Sequence, residues 1–98
     1  MAHDFGICVG KVWDDSKPHA YFFGYANGLM YRAFDCRAFG HGIAIDAAAA
    51  RLGLSWAIMV FDGMNYPDST RMDCIKEFYH RIKHGDLRNE PWFYIDYS

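Results

Sequence analysis

The chain has 98 residues, of which 52% are apolar, and this size matches one domain with a substantial hydrophobic core. Ten basic and twelve acidic residues leave a formal net charge of −2, without the basic excess typical of duplex-DNA-binding proteins. These quantities predict a single domain over residues 1–98 and make duplex nucleic acid an unlikely partner.

The cysteines and the hydropathy of the chain indicate the cellular compartment of the protein. The three cysteines form no CxxC pair, which argues against a disulfide framework and against a Cys-rich zinc site. Free thiols are typical of a reducing compartment. The first residues lack the basic and apolar regions of a signal peptide, and no apolar run approaches the ~18 residues of a membrane span. We therefore expect a cytoplasmic protein without membrane contact.

Aromatic side chains make up 18% of the chain, a high share for a domain this small. One explanation is a β-rich core, because sheets favour aromatic residues. The other is a surface that meets another molecule, since Tyr and Trp are enriched at interfaces. A short chain cannot easily enclose so many rings, so we expect a homodimer, or a protein or small-molecule partner.

In chain order, the first predicted strand covers residues 5–13, and a β-hairpin follows it. Asn27 and Gly28 lie between two aromatic-rich runs and suit a two-residue type I′ turn. This turn predicts strands over 21–26 and 29–34, with alternate side chains on one face of the sheet. The side chains predicted to form an interface on that face are Tyr21, Phe23, Tyr25, Arg32 and Phe34.

The second half of the chain predicts two helices and two more strands. Asp46 is the candidate N-cap of a short helix that Gly53 ends. The apolar run 56–61 has the length and flanking residues of a buried central strand. An amphipathic helix over 70–84 and a strand over 92–97 complete the chain. The predicted fold is α+β, with order β-β-β-α-β-α-β and two helices packed on one face of a single, mostly antiparallel sheet.

Four polar residues lie near the predicted strand ends. Asp35 and Asp62 each follow a strand, and Arg37 and His41 lie on the loop after Asp35. Together they suit acid–base chemistry or anion binding. The alternative is structural, with Asp62 in a turn and Arg37 in a surface ion pair. We take Asp35, Arg37, His41 and Asp62 as candidate ligand-binding residues and predict no catalytic residue.

Two histidines, His80 and His84, have the spacing that places metal ligands on one face of a helix. The helix supplies no third ligand, and Arg81 and Lys83 beside the pair would repel a cation. The sequence contains no GxSxG nucleophile motif and no Gly-rich phosphate loop. We predict neither a metal site nor a cofactor.

These observations favour a small non-enzymatic interaction module that binds a protein or a small molecule, because catalytic motifs are missing and aromatic residues are in surplus. Two alternatives stay open. One is a small enzyme that uses Asp35, Arg37, His41 and Asp62. The other is a single-stranded nucleic-acid binder that stacks bases on the aromatic sheet face, for which the balanced charge is unfavourable.

Overall fold

The computed structural model of the protein describes residues 5–22, 27–34, 42–64 and 72–97. In these ranges the chain forms four strands and three helices, and none of these helices is long and apolar enough to cross a membrane. In chain order the elements are β1 (Phe5–Val9), β2 (His19–Phe22), α1 (Asn27–Phe34), β3 (Ile43–Asp46), α2 (Ala47–Gly63), α3 (Asp73–His84) and β4 (Trp92–Tyr97).

The four strands form one antiparallel sheet in the order β2-β1-β4-β3. The last strand of the chain, β4, lies between β1 and β3 and pairs with both. Ile7 of β1 lies opposite Ala20 of β2 and Ile95 of β4, which defines the register across three strands. The predicted α+β class, with a single antiparallel sheet and helices packed on it, is confirmed.

The hydrophobic core lies between the helices and one face of the sheet, here called the inner face. Successive strand residues point to opposite faces, so every second side chain of each strand enters the core. The buried strand residues of the inner face are Phe5, Ile7, Val9, Ala20, Phe22, Phe93, Ile95 and Tyr97. The helices contribute Leu29, Met30, Ala50, Leu54, Ala57, Phe61, Ile75, Phe78 and Ile82.

Residues 56–61 are part of α2 and not a strand, so the prediction of a central strand there is wrong. Gly53 lies inside the same helix instead of ending it. An apolar run that is buried or half-buried on several sides has no clear period, so a strand and a helix cannot be distinguished within it. The start of the helix is as predicted: Asp46 is the N-cap, and its Oδ1 accepts a hydrogen bond from the backbone N–H of Ala49 at 2.8 Å.

The predicted hairpin is also wrong, because residues 29–34 belong to α1. Met30 is buried and Phe34 packs against the core, a spacing of four residues that fits one face of a helix. The Tyr97 hydroxyl donates a hydrogen bond to the backbone oxygen of Met30 at 3.1 Å and ties α1 to β4. The observed order is therefore β-β-α-β-α-α-β, with three helices where two were predicted.

The last two predicted elements have the expected type. The amphipathic helix ends at His84 as predicted, and the backbone N–H of Gly85 donates to the carbonyl oxygen of Arg81 at 3.0 Å. The Arg81 guanidinium donates to both carboxylate oxygens of Asp86, at 2.9 and 2.8 Å, and this hydrogen bonding lowers the pKa of Asp86. The turn that this ion pair stabilises leads into β4, which covers the predicted residues 92–97.

Candidate functional site

Of the four candidate ligand-binding residues, Asp62 lies in the described part of the chain, and Asp35, Arg37 and His41 lie outside it. Asp62 occupies the last turn of α2 and not a strand end, because the residues before it are helical. Its exposed carboxylate accepts a hydrogen bond from Lys76 Nζ of α3 at 2.8 Å. Asp62 thus joins two helices at the surface, and ligand binding by the four residues stays a prediction.

The predicted interface residues do not share the face that a hairpin would give them. Phe23 and Tyr25 lie outside the described residues. Tyr21 lies on the sheet face opposite the helices, here called the outer face, whereas Phe34 packs against the core from α1. Arg32 is exposed on α1. The described members are therefore on opposite sides of the sheet, and their role in an interface stays a prediction.

The outer face is covered at one end by the loop that connects β1 to β2. The Trp13 ring of this loop lies so close to Gly6 that a Cβ atom there would be 3.0 Å from the ring. Trp13, His19 and Tyr21 contact one another with ring centroids 5.3 to 5.5 Å apart. Trp13 Nε1 donates a hydrogen bond to Asp15 Oδ1 at 2.6 Å. Trp13 of the loop thus covers Gly6 and packs on His19 and Tyr21, while Tyr21 stays 36% exposed.

Carboxylates surround this ring cluster. Burial raises the pKa of Tyr21, and the nearby charges of Asp15 and Asp96 raise it further. Asp14 in the same loop accepts hydrogen bonds from the hydroxyl and the backbone N–H of Ser16, at 2.7 and 3.0 Å, which lower the pKa of Asp14. Lys11 and Lys17 of the same loop balance Asp14 and Asp15, so this face lacks the basic excess that nucleic-acid binding uses and does not favour the nucleic-acid alternative.

The same loop covers one of the two described cysteines. Cys8 of β1 is fully buried, its Sγ lies 3.4 Å from the carbonyl oxygen of Asp14, and burial raises the pKa of its thiol. Cys74 of α3 is exposed. The two thiols therefore differ in access to solvent, and thiolate formation at Cys8 is suppressed.

We expect a disulfide-exchange reagent at mildly alkaline pH to modify Cys74 in the native protein and Cys8 only after unfolding. A thiolate is the attacking species, and both burial and the raised pKa remove it at Cys8. The measurement is mass spectrometry of labelled peptides from a Cys36→Ser variant, with and without denaturant. Equal labelling rates for the two thiols in the native protein would contradict this expectation.

His80 and His84 are exposed on α3, with ring centroids 5.5 Å apart. Among the residues that the structure describes, no group of three or more His, Cys, Asp or Glu side chains is placed to hold a metal ion. The four-residue spacing therefore brings the two rings together, but the described residues add no third ligand.

Of the six large apolar side chains that are exposed in the described part of the chain, three lie on α2 or directly after it. Its buried side is formed by small and large apolar residues at helical spacing, and its opposite side is also apolar. Leu52 and Met59 are 74% and 65% exposed, with exposed Ser55 between them and exposed Ala48 one turn before Leu52 on the same side. Met64, directly after the helix, is 54% exposed on the side toward α1. We call the surface of Ala48, Leu52, Ser55 and Met59 the α2 outer stripe. A soluble chain rarely leaves such residues in contact along one helix without a function for them.

A groove between α1 and α2 borders this stripe. It has a volume of about 300 Å³ and is lined by Leu29 and Arg32 of α1 and by Trp56, Val60 and Met64 of α2. We call it the α1–α2 groove. Four of its five lining residues are apolar and Trp56 is half-buried. The stripe and the groove together form a continuous apolar surface with one cation, Arg32, at its edge.

Sequence reasoning did not find this surface, because it expected the exposed apolar area to be aromatic. Most of the described rings are instead buried or half-buried, and the larger exposed side chains are mainly aliphatic. The relevant signal was present in the run 47–63, in which apolar residues occur on every side of the helix. The part of the chain that the structure describes covers one side of this helix and leaves Leu52 and Met59 exposed on the other.

Comparisons of the chain with protein-family models and with curated proteins find no match. The function must therefore be argued from the surfaces of this chain. The α2 outer stripe and the α1–α2 groove carry the most exposed apolar area of the described residues, whereas the outer face of the sheet is partly covered by its own loop.

Proposed function

We propose that the protein is a small non-enzymatic interaction module that associates with a second copy of itself through the α2 outer stripe. The observation that carries this proposal is the exposure of Leu52 and Met59 on a helix whose outward side has no charge between them. We further propose that it acts in the cytoplasm, where free thiols such as those of Cys8 and Cys74 persist.

The energetics support association of moderate strength. Burying a Leu or Met side chain that was exposed contributes about 1.5–3 kcal/mol. Two copies together bring Leu52 and Met59 twice, a gain of about 6–12 kcal/mol against the ~4–15 kcal/mol cost of association. The upper end of this gain exceeds the lower end of the cost by about 8 kcal/mol, so we expect a dissociation constant of about 1 μM or weaker.

The other functions have less support. A polar cleft between β2 and α3 has a volume of about 120 Å³, below the range of roughly 300–1,000 Å³ that is typical of small-molecule sites, and the α1–α2 groove, at about 300 Å³, reaches only the lower limit of that range. The enzyme alternative depends on Asp35, Arg37 and His41, which lie outside the described residues, and on Asp62, which is paired with Lys76. The interaction module is therefore the function that the described surfaces favour.

The test is sedimentation equilibrium over roughly 1–100 μM, the range set by the expected dissociation constant. We expect the native protein to shift from monomer to dimer across this range. A variant with Leu52→Glu and Met59→Glu should remain monomeric, because association would bury unpaired carboxylates. Both sites are exposed in the monomer, so the circular dichroism spectrum should be unchanged.

The matched control is Val12→Glu, which places a carboxylate at another exposed apolar residue, 68% exposed, in the loop after β1. This variant should dimerise like the native protein. A native protein that sediments as a monomer at every concentration would overturn the proposal. So would an equal loss of association in the control variant, since it would separate association from α2.

A further inference from the structure

We infer that the two copies pair their α2 helices antiparallel, about a two-fold axis that passes beside Ser55 and Trp56. This inference rests on the proposed function and adds the register and the polar contacts of the pair. It follows from two features of α2: where its apolar residues lie along the helix, and where Arg51 and Asp62 lie around it.

The outer stripe is self-complementary in one direction. Side chains turn about 100° per residue around a helix, so Ala48, Leu52, Ser55 and Met59 lie within one narrow sector, opposite the buried residues. The position beside Ser55 and Trp56 is the midpoint between Leu52 and Met59 along the helix. A two-fold axis at that midpoint places Leu52 of each copy against Met59 of the other, which is the isologous contact that the commonest dimers use.

Small residues on the stripe permit a close approach. Ser55 lies beside the axis, and Ala48 lies toward the start of the helix. With small side chains at the contact, two helices pack at the short end of the usual ~8–10 Å interaxial distance. Ser55 of one copy then lies next to Ser55 of the other. Trp56 of the two copies flanks the axis on the side of the α1–α2 groove.

The charges on α2 distinguish antiparallel from parallel pairing. Arg51 and Asp62 lie on the same flank of the stripe, on the side away from Trp56, and are separated by about 16 Å along the helix. In an antiparallel pair, the flank that carries Arg51 and Asp62 lies on the same side of the contact in both copies, and the two helices run in opposite directions. Arg51 of each copy therefore lies beside Asp62 of the other. In a parallel pair, the charged flanks of the two copies lie on opposite sides of the contact, so Arg51 of one copy does not reach Asp62 of the other.

Asp62 can take part in this contact while it binds Lys76. The hydrogen bond from Lys76 Nζ uses Oδ1, and a carboxylate has further acceptor positions on both oxygens. The Asp62 side chain is also 54% exposed while it binds Lys76. Each antiparallel dimer therefore has two symmetric ion pairs, one at each end of the apolar contact.

Disulfide trapping tests the direction of the pair. In a background with Cys36→Ser and Cys74→Ser, oxidation of Ser55→Cys should give a covalent dimer, because the two positions meet at the axis within the Cα distance of about 4.4–6.8 Å that a disulfide allows. Leu52→Cys alone should not form a dimer, whereas an equimolar mixture of Leu52→Cys and Met59→Cys should form the mixed dimer. Val12→Cys is the control for random collision and should stay monomeric.

Charge exchange tests the ion pairs in the same sedimentation experiment. Arg51→Asp and Asp62→Arg should each weaken the dimer about three- to tenfold, and the double variant should recover most of that loss. A native dimer in which Leu52→Cys or Met59→Cys crosslinks to itself would overturn antiparallel pairing and leave the proposed function intact. Failure of the double variant to recover would overturn the ion pairs. A monomeric native protein would overturn the proposed function as well.

Discussion

Replacing Phe93 with alanine is expected to lower the free energy of unfolding by about 3–5 kcal/mol, the range for a fully buried Phe. Phe93 is completely buried in β4, one of the two central strands, and lies opposite Val9 of β1 and Ile45 of β3. Its ring contacts Phe78 of α3 edge-on, with centroids 6.1 Å apart and planes at 83°. Truncation removes this contact and leaves a cavity between the sheet and α3 that rigid neighbours cannot fill.

The measurement is urea denaturation followed by circular dichroism, with Trp92→Ala as the matched control. Trp92 is the neighbouring residue on the other face of β4, partly exposed, with Lys11 Nζ 4.4 Å from the centre of its ring. Its loss removes that cation–π contact and a small buried apolar area, so we expect the free energy of unfolding to fall by about 1 kcal/mol or less. Equal effects of the two substitutions would contradict the assignment of the inner face.

Gly53→Ala in α2 is expected to destabilise the protein by about 1–3 kcal/mol, against the usual direction of this substitution. In the middle of a helix, alanine normally stabilises by roughly 0.5–1 kcal/mol relative to glycine. Here an added Cβ would overlap the Phe34 ring and lie within 2.7 Å of its Cδ1 atom. The ring cannot retreat easily, because it stacks on Phe5 with centroids 5.3 Å apart and planes at 12°.

Gly63→Ala is the control in the same helix, since no atom lies within 4 Å of the added Cβ. We expect this substitution to be neutral or slightly stabilising. The double variant Gly53→Ala, Phe34→Ala should lose less unfolding free energy than the two single variants together, because without the Phe34 ring the added Cβ overlaps nothing. A stabilising Gly53→Ala variant would show that α1 does not pack on α2 at this position.

The elements that were predicted correctly from the sequence each have a signal in their own residues and in the residues next to them. The helix up to His84 combines a clear apolar stripe with basic residues in its last turn and a glycine after it. β4 is an apolar strand-length run preceded by Pro91. Asp46 has the side chain that an N-cap needs, and it caps α2. Each of these features needs no information about the rest of the fold.

The errors occurred where a local signal conflicted with packing. Asn27 and Gly28 suit a hairpin turn, yet they begin α1. The adjacent pairs Leu29–Met30 and Ala33–Phe34 all reach the core, which one side of a helix allows and one face of a strand does not. Gly53 suits a helix end, yet it lies within α2. A glycine is needed there because the Phe34 ring occupies the space that a side chain would take. The residues next to Asn27 and Gly53 do not reveal these outcomes, since each depends on contacts with elements that are distant in sequence.

The amino-acid sequence by itself determined the class of fold, the start of α2 and the end of α3. Tertiary structure alone decided that the run 47–63 is one helix and that Leu52 and Met59 are exposed on it, where the sequence predicted exposed aromatic rings. The physical reason is that apolar residues occur on most sides of α2, with Arg51 and Asp62 on one flank. Which side meets the core and which stays exposed depends on where α1, α3 and the sheet cover it, and only the packed chain defines that.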